Sequence, residues 1–355
     1  MRICHRFNKE DKMRNVLVLT IITIISLSYS DLSFARCEPN GPDMFVCNSL
    51  QPNPDPDGVQ QGGNNNGVQV HVLKDGNIDT NNMIAIDLGN GANHVDIKSA
   101  SVTGQDRAIT TGDGPDEISL HKANVEGQGS TLFFNDGDDN IKIKDSMVTT
   151  TVGGVTISVG SGSDTAVING STVSTGPGIS RAFTGGLGNE DLTIIDSVIT
   201  NSSTDVTVSL GADDDKVFVA RSTITNASNN FPLSGAAGDD ELTIGTGAVI
   251  PGGIDCDLDI DEVPRGFDTL IFAMEVPRSQ IASFTEHIEN APTPDGSVTI
   301  NGIFYLYRNC DQLVADLRVP EGRPIPTLSE WGLISMAGVL GLVGLYAIRR
   351  RKAVA

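Results

Sequence analysis

Residues 132–148, LFFNDGDDNIKIKDSMV, are one copy of a pattern that recurs through the middle of the chain. In each copy a turn rich in Gly and Asp precedes two apolar residues at alternate positions, and a third apolar residue follows five positions later. Seven copies align, 23 to 26 residues apart, when each is anchored at one turn residue. A repeat of this length is typical of a solenoid, in which each copy is one structural unit. The anchors are Gly89, Gly112, Asn135, Gly160, Gly186, Gly211 and Ala236.

Positions counted from the anchor indicate which residues form the core. Positions −3, +6, +8 and +13 are apolar in all seven copies. The alternation at +6 and +8 has the period of a β-strand with one buried face. Position +8 holds Ile97, Leu120, Ile143, Ile168, Ile194, Val219 and Ile244. Position +11 holds only small residues, which indicates a tight bend: Ala100, Ala123, Ser146, Ser171, Ser197, Ser222 and Gly247.

The repeat predicts an all-β fold, a right-handed parallel β-helix of about seven to nine coils over residues 68–272. One unit of about 24 residues cannot bury a core alone, but stacked units can, because each strand pairs in register with its copies in the coils on either side. The unit before the first anchor, with Val68, Val70 and Val72, and a unit after Gly266 extend the series. Helical repeats are disfavoured because the apolar spacing does not fit 3.6 residues per turn and glycine is too frequent.

The segments on either side of the repeat have different compositions. Residues 36–67 are rich in Pro, Asn, Gly and Gln and predict a loose N-terminal segment. Residues 273–319 break the period and predict a C-terminal cap, with a short helix at 281–288 and a strand or hairpin at 298–307. A cap is expected because an open solenoid end exposes unpaired strand edges. Residues 320–324 are a short tether.

Residues 1–35 have the pattern of a secretory signal peptide. Basic residues precede a short apolar run at 16–29, and Ser33-Phe34-Ala35 fits a cleavage site after Ala35. The run is shorter than the roughly 20 residues that a transmembrane anchor needs. We therefore expect export by the Sec machinery and cleavage by signal peptidase, with either Met1 or Met13 as the initiator.

The last 31 residues have three consecutive parts. A short motif contains Ile325, Pro326, Thr327 and Leu328, followed by Trp331 and Gly332. Residues 331–348 are then apolar over 18 residues, which as a helix just spans a bilayer core. A basic cluster ends the span and should stay on the cytoplasmic side. It consists of Arg349, Arg350, Arg351 and Lys352.

This tail resembles the IPTL-CTERM sorting signal of Gram-negative bacteria. The resemblance implies that an exosortase-type membrane protease recognises and removes the tail. The protein would first sit in the inner membrane with its C-terminus in the cytoplasm, and then reach the cell surface, the outer envelope or the medium. An ordinary single-span anchor is the alternative.

Four cysteines remain after signal cleavage: Cys37, Cys47, Cys256 and Cys310. An even number of cysteines in an exported chain indicates disulfides. Three pairings exist, and we favour Cys37–Cys47 with Cys256–Cys310 because each pair brackets one end of the repeat. The wide spacing and the lack of nearby His partners disfavour a metal site.

Position +4 is acidic in most copies. Its members are Asn93, Asp116, Asp139, Asp164, Glu190, Asp215 and Asp240, and Asp268 continues the series. The turns at 112–116 and 135–139 resemble the G-x-G-x-D turns of RTX repeats, which bind calcium through oxygen ligands. The resemblance implies calcium ligands at Asp116, Asp139, Asp164, Asp215 and Asp240. RTX turns recur every nine residues, however, and the alternative is that each Asp caps its own turn by accepting backbone N–H bonds.

The composition argues against several functions. A formal net charge of −21 disfavours a nucleic-acid-binding surface, which needs clustered Lys and Arg. The chain has no P-loop, nucleophile elbow or dinucleotide fingerprint. The histidines fall at unrelated positions, which predicts solvated surface residues: His71, His94, His121 and His287. The lysines of the repeat region also occupy different positions, so no basic cluster is expected on one face: Lys98, Lys122, Lys142, Lys144 and Lys216.

These observations predict an exported, non-catalytic β-helical rod for adhesion or for envelope or matrix structure. Its expected partners are a surface polysaccharide or a host or neighbouring cell, with no cofactor other than calcium. The alternative is a carbohydrate-active β-helical enzyme, either a polysaccharide lyase or a glycoside hydrolase, which works with paired carboxylates or with basic groups beside acids.

Overall fold

Stacked parallel strands make up most of the chain that the structure, a computed structural model, describes. The described residues are 36–40, 43–48, 59–60, 67–74, 76–80, 83–178, 180–257 and 266–320. The predicted signal peptide with Ala35, the sorting motif and the membrane span at 331–348 lie outside these residues.

The described residues contain thirty strands and one α-helix. The first fifteen strands are β1 (Arg36–Pro39), β2 (Met44–Asn48), β3 (Val59–Gln60), β4 (Gln69–Val72), β5 (Ile78–Asp79), β6 (Ile84–Asp87), β7 (His94–Lys98), β8 (Ser101–Thr103), β9 (Arg107–Thr110), β10 (Glu117–His121), β11 (Asn124–Gly127), β12 (Ser130–Phe133), β13 (Asn140–Lys144), β14 (Met147–Thr150) and β15 (Gly154–Ser158). The others are β16 (Thr165–Asn169), β17 (Thr172–Thr175), β18 (Ser180–Thr184), β19 (Asp191–Ile195), β20 (Val198–Asn201), β21 (Val208–Ala212), β22 (Lys216–Ala220), β23 (Thr223–Asn226), β24 (Leu233–Ala237), β25 (Glu241–Gly245), β26 (Ile254–Asp255), β27 (Thr269–Ala273), β28 (Gly296–Ile300), β29 (Ile303–Arg308) and β30 (Gln312–Ala315), with the helix α1 (Ile281–Glu289) before β28.

The strands form three sheets whose order confirms the solenoid. Sheet A has twelve strands in the order β1-β2-β4-β7-β10-β13-β16-β19-β22-β25-β27-β30. Sheet B has eleven, in the order β28-β29-β26-β24-β21-β18-β15-β12-β9-β6-β3, and sheet C has seven, in the order β23-β20-β17-β14-β11-β8-β5. Through most of the molecule, neighbours in a sheet are three strands apart in sequence, so each coil contributes one strand to each sheet. The result is a parallel β-solenoid of about eight turns.

The aliphatic columns predicted from the repeat lie inside the solenoid. Ile97, Leu120, Ile143 and Ile168 are successive register partners in sheet A, and each is at most 1% exposed. Burying one such side chain contributes roughly 1.5–3 kcal/mol. A continuous column of this kind supplies the core that a single coil lacks.

The solenoid extends at both ends of the seven anchored copies, as the sequence predicted. Val70 and Val72 in β4 pair with Val95 and Ile97 in β7. At the other end, β27 pairs in register with β25, so that Phe272 continues the buried column of sheet A. The last residue of the described chain, Pro320, follows β30 closely.

The segment 36–67 is more ordered than its composition predicted. Its described residues include an antiparallel hairpin of β1 and β2, and β2 then pairs in parallel with β4. The short strand β3 also pairs with β6. Where described, this segment therefore closes the N-terminal end of the solenoid. The repeat could not reveal this because a hairpin that ends a sheet need not follow the period.

The C-terminal cap contains the predicted helix and hairpin. The helix α1 contacts β30, and β28 pairs antiparallel with β29. Tyr305 and Tyr307 of β29 point inward, and the Tyr305 hydroxyl donates to the carbonyl oxygen of Ala248 at 2.8 Å. The strand β30, which the sequence did not predict, returns to sheet A and pairs with β27.

Two disulfides confirm the favoured cysteine pairing. Cys37–Cys47 joins the two strands of the N-terminal hairpin. Cys256–Cys310 joins the residue after β26 to the segment between β29 and β30, across 54 positions of sequence. Each disulfide therefore links a cap to itself or to the nearest coil.

A column of glycines at position +2 allows the coils to stack closely at the turn before sheet A. Gly137 and Gly162 have φ values of 157° and 148°, a conformation that side chains with a Cβ rarely adopt. A Cβ built on Gly162 would overlap the carbonyl oxygen of Gly137 in the adjacent coil. The turn therefore requires glycine for both the backbone angle and the contact.

Replacing Gly162 by Ala should lower the free energy of unfolding by about 2–3 kcal/mol. The positive φ costs roughly 1 kcal/mol, and the overlap with backbone adds a packing penalty. Gly302→Ala is the matched control, because Gly302 has a φ of 78° but no atom within 4 Å of its Cβ position. Urea denaturation measures both variants, and equal losses would contradict the stacking argument.

Candidate functional site

The acidic column at position +4 lies at the corner where each coil enters sheet A. Asp116, Asp139 and Asp164 immediately precede β10, β13 and β16. Asp215 and Asp240 stand in the same place before β22 and β25. All five side chains are buried, with at most 2% of each residue exposed. The side chains therefore point into the solenoid, although acidic turn residues in sequence suggest a solvent-facing position.

Each buried carboxylate accepts a backbone N–H from the coil before it. The Asp116 N–H donates to Oδ1 of Asp139 at 2.8 Å, and the Asp139 N–H donates to Oδ1 of Asp164 at 2.7 Å. A buried N–H without an acceptor costs roughly 1–3 kcal/mol, so the column stabilises the corners where this bond forms. The same bond links Asn93 to Asp116, Glu190 to Asp215, Asp215 to Asp240 and Asp240 to Asp268 at 2.7–3.0 Å.

The second carboxylate oxygen of these residues has no hydrogen-bond partner. This holds for Oδ2 of Asp116, Asp139, Asp164, Asp215 and Asp240 and for Oε2 of Glu190. Loss of solvent disfavours the charged form, so burial raises the pKa of Asp164 to about 6 and the pKa values of Asp139 and Asp240 to about 8. Burial also raises the pKa of Asp116 and the pKa values of the neighbouring pair Glu190 and Asp215.

The hydrogen bonds differ from the turn-capping alternative, because each of these aspartates accepts an N–H of the preceding coil and not of its own turn. Within the described part of the chain, no group of three or more His, Cys, Asp or Glu residues could hold a metal ion. In each of these aspartates, Oδ1 already accepts a hydrogen bond from a backbone N–H. Calcium binding at Asp116, Asp139, Asp164, Asp215 and Asp240 stays a prediction.

The small residues at position +11 form a second polar column, at the corner where each coil leaves sheet A. Oγ of Ser171 accepts the Ser146 N–H at 3.0 Å, and Oγ of Ser197 accepts the Ser171 N–H at 3.1 Å. Ser171 also donates to the carbonyl oxygen of Asn169 at 2.8 Å. The sequence predicted only a tight bend here. Four consecutive serines in this column were the signal for a hydrogen-bonding role.

The outer face of sheet A brings together histidines and lysines that occupy different positions of the repeat. His71 and His94 lie on neighbouring strands with ring centroids 5.7 Å apart. Lys98, His121 and Lys144 are register partners on β7, β10 and β13. Positions +5, +7 and +9 all face outward from the same strand, so different positions can share one face. The expectation that no basic cluster forms is therefore wrong for these coils, whereas Lys216 lies apart on β22.

We call this group the cation cluster: His71, His94, Lys98, His121, Lys142 and Lys144. Carboxylates lie between its members. Asp96 is buried, whereas the solvent-exposed pairs contribute at most about 1 kcal/mol each. The pairs are His71 Nδ1 with Asp96 Oδ2 at 3.7 Å, Lys98 Nζ with Asp96 Oδ2 at 2.5 Å, His94 Nδ1 with Glu117 Oε2 at 3.3 Å, His121 Nε2 with Asp145 Oδ2 at 3.7 Å and Lys142 Nζ with Glu117 Oε1 at 2.9 Å.

A groove of about 470 Å³ lies beside the cation cluster, at the corner between sheets A and C. Its lining runs from Asn77 to Thr172 across five coils and includes Lys122 and Asp145. Lys122 and Asp145 have left-handed φ values of 53° and 49°, because this corner turns sharply at position +10. His287, in contrast, is exposed on α1 in the C-terminal cap.

The tail is the part of the chain with a match among known families. Residues 323–351 match the IPTL-CTERM motif, which confirms the sorting signal identified in the sequence. No curated protein and no solved structure matches the chain. Among the residues that the structure describes, no helix is both long and apolar enough to cross a membrane.

Replacing Ser171 by Ala should lower the free energy of unfolding by about 1–3 kcal/mol. The Ser146 N–H would lose its acceptor in a buried corner. Ser119→Ala is the matched control, because Ser119 faces outward on β10 and its replacement should change stability by no more than about 0.5 kcal/mol. Thermal and urea denaturation measure both variants. Equal effects would mean that the serine column does not support the corners.

Folding stability should fall as the pH rises from about 4 to about 8. The raised pKa values mean that the folded protein holds protons that the unfolded chain releases above pH 4. The stabilisation that these protons provide is fully present below pH 4, and it is lost as the pH rises through the folded-state pKa values. Each such proton contributes a slope of about 1.4 kcal/mol per pH unit. Urea denaturation across this range measures the slope, and constant stability would contradict the prediction.

Proposed function

We propose that this protein is an exported surface protein whose solenoid acts as a non-catalytic rod in adhesion or in envelope or matrix structure. The IPTL-CTERM motif at 323–351 carries the proposal, because it is a sorting signal attached to the end of a regular β-solenoid. The solenoid supports a structural role, since its coils repeat one buried framework and vary on the outside.

The proposed route begins with Sec export and signal peptidase cleavage after Ala35. The apolar segment 331–348 then holds the protein in the inner membrane of a Gram-negative bacterium, with Arg349 to Lys352 in the cytoplasm. An exosortase-type protease removes the tail and releases the rod toward the cell surface. The motif match supports the processing step.

The two ends of the solenoid differ, because the tail joins the chain at only one of them. The tail continues from the end formed by β30, and the cation cluster lies on the strands β4 to β13 nearer the opposite end. Twelve stacked strands of sheet A, about 4.8 Å apart, span about 50 Å. Before the tail is removed, the cation cluster therefore belongs to the half of the rod that is farther from the tail.

An anionic surface polysaccharide is the proposed partner of the cation cluster. The net charge of −21 makes the protein as a whole repel anionic surfaces. Lys98, His121 and Lys144 stand side by side on the outer face of sheet A, and these coils are the proposed place of contact.

A polysaccharide-active enzyme remains the second candidate because of the groove beside this cluster. His121 Nε2 lies 3.7 Å from Asp145 Oδ2, and Lys122 lines the same groove as Asp145. A base near a cation is an arrangement that sugar-cleaving chemistry uses. Among the described residues of the coils near this groove, however, aromatic platforms are few. Phe134 and Phe183 are buried, and Arg107 covers the ring of Phe133 at 3.8 Å.

Deleting residues 325–355 should leave the rod folded but misdirected. The deletion removes the sorting motif and the span and leaves every described residue in place. Cell fractionation, with mass spectrometry of the mature C-terminus, measures the outcome. Pro326→Ala is the companion variant: it retains the span and should leave unprocessed protein in the inner membrane. A wild-type protein that keeps its tail would favour an ordinary anchor, and normal processing of Pro326→Ala would mean that this proline is not needed for recognition.

Incubation with acidic polysaccharides separates the two candidate functions. The rod should bind such a polymer without shortening it, and replacing Lys98 and Lys144 by Gln should weaken binding about tenfold at low salt, because charge attraction is screened by salt. Lys216→Gln, on the same sheet but outside the cluster, is the control. Release of shortened chains, lost in His121→Ala, would establish the enzyme instead.

A further inference from the structure

The acidic column begins with an amide, Asn93, whose side chain is fully hydrogen-bonded. Its Oδ1 accepts the Val68 N–H at 2.9 Å, as the aspartates accept the N–H of the coil before them. Its Nδ2 donates to the carbonyl oxygens of Gly89 at 3.0 Å and Gly91 at 2.9 Å, both in its own turn. Position +4 therefore offers one donor from the neighbouring coil and two acceptors from its own turn.

The aspartates occupy the same position with a different second atom. In Asp116 and Asp139, Oδ1 accepts an N–H as Oδ1 of Asn93 does, and the strands that follow pair in register. Their Oδ2 atoms correspond to Nδ2 of Asn93 and are buried without a partner. Where the asparagine places a donor toward carbonyl oxygens, an ionised aspartate places a second acceptor. A proton on Oδ2 restores the donor.

We propose that the buried aspartates of this column are neutral carboxylic acids at mildly acid pH, each donating its proton to a carbonyl oxygen of its own turn. On this account the protein takes up protons as it folds, because the same residues are ionised in the unfolded chain above pH 4. The column then works as Asn93 does, with both side-chain atoms bonded. It also explains why the aspartates stack in consecutive coils without a counter-ion.

The charged groups that face the column are also acidic. Asp138 faces Asp139 and Asp164, Asp213 faces Asp215, and Asp214 faces Asp240. Asp239, Asp257 and Asp311 face Asp268. Across the interior stand buried apolar side chains such as Leu88 and Phe134, and the Thr111 hydroxyl lies beside Asp116. Burial and the neighbouring carboxylates disfavour ionisation, in agreement with the raised pKa values, whereas the Thr111 hydroxyl favours the charged form of Asp116.

The proposal predicts that aspartate and asparagine are interchangeable in the column at acid pH and differ at alkaline pH. Asp139→Asn should keep every bond without needing a proton. The number of protons taken up on folding, given by the slope of the unfolding free energy between pH 4 and 7, should then fall by one. The urea midpoint at pH 8 should rise. Asn93→Asp should do the reverse: the same midpoint as the wild type at pH 4, a lower midpoint at pH 8, and one more proton taken up on folding.

The matched control is Asp191→Asn, which removes a carboxylate exposed on the outer face of β19 and should leave the proton count unchanged. The experiment is urea denaturation of the exported, disulfide-bonded protein from pH 4 to pH 8. Carbon NMR of labelled aspartate, compared between wild type and Asp139→Asn, reports directly whether the Asp139 carboxyl carries a proton at pH 6.

Two results would overturn the proposal. An ionised Asp139 at pH 6, or an Asp139→Asn variant destabilised equally at all pH values, would mean that the column works as carboxylates. A rise in the wild-type urea midpoint at pH 6 on adding calcium chloride, absent in Asp139→Asn, would mean that a cation occupies the place assigned to the proton.

Discussion

Backbone N–H groups at the corners of each coil are the constraint on which this solenoid depends. Along the strands, N–H groups meet carbonyl oxygens of the adjacent coil, but at the two ends of each sheet A strand the chain turns. Two side-chain columns supply acceptors there. Carboxylates such as Asp139 serve the entry corner, and hydroxyls such as Ser171 serve the exit corner. The aliphatic core between them can then stay free of unpaired backbone groups.

This arrangement separates the part of the coil that must repeat from the part that can vary. Leu120 and Ile143 in the core, Asp139 at the entry corner and Gly162 in the turn each contact their copies in the next coil, so a change at one level affects the neighbouring levels. Outward positions meet only solvent and each other. The cation cluster is therefore compatible with the repeat, and it gives the first coils a surface that the later coils lack. A sorted surface protein can change its contacts in this way without changing its core.

The features that the sequence predicted correctly are those that depend on the repeat or on local motifs. The inward direction of Ile97 follows from alternation within one strand, and the pairing of Cys256 with Cys310 follows from the ends of the repeat. The tail was recognisable because its motif is contiguous. The hairpin of β1 and β2 and the final strand β30 were not predicted, because they pair at the ends of sheet A, where the period no longer applies.

By itself, the sequence determined the solenoid, the length of its coil, the core columns and the sorting signal. Only the tertiary structure decided that the acidic turn residues point inward and that His71, His94 and His121 share a face. The physical reason is stacking: residues 23 to 26 apart in the chain become neighbours about 4.8 Å apart, and the turn geometry decides which side of the coil they face. Asp116 is thus a buried hydrogen-bonding group because of the coil on either side of it.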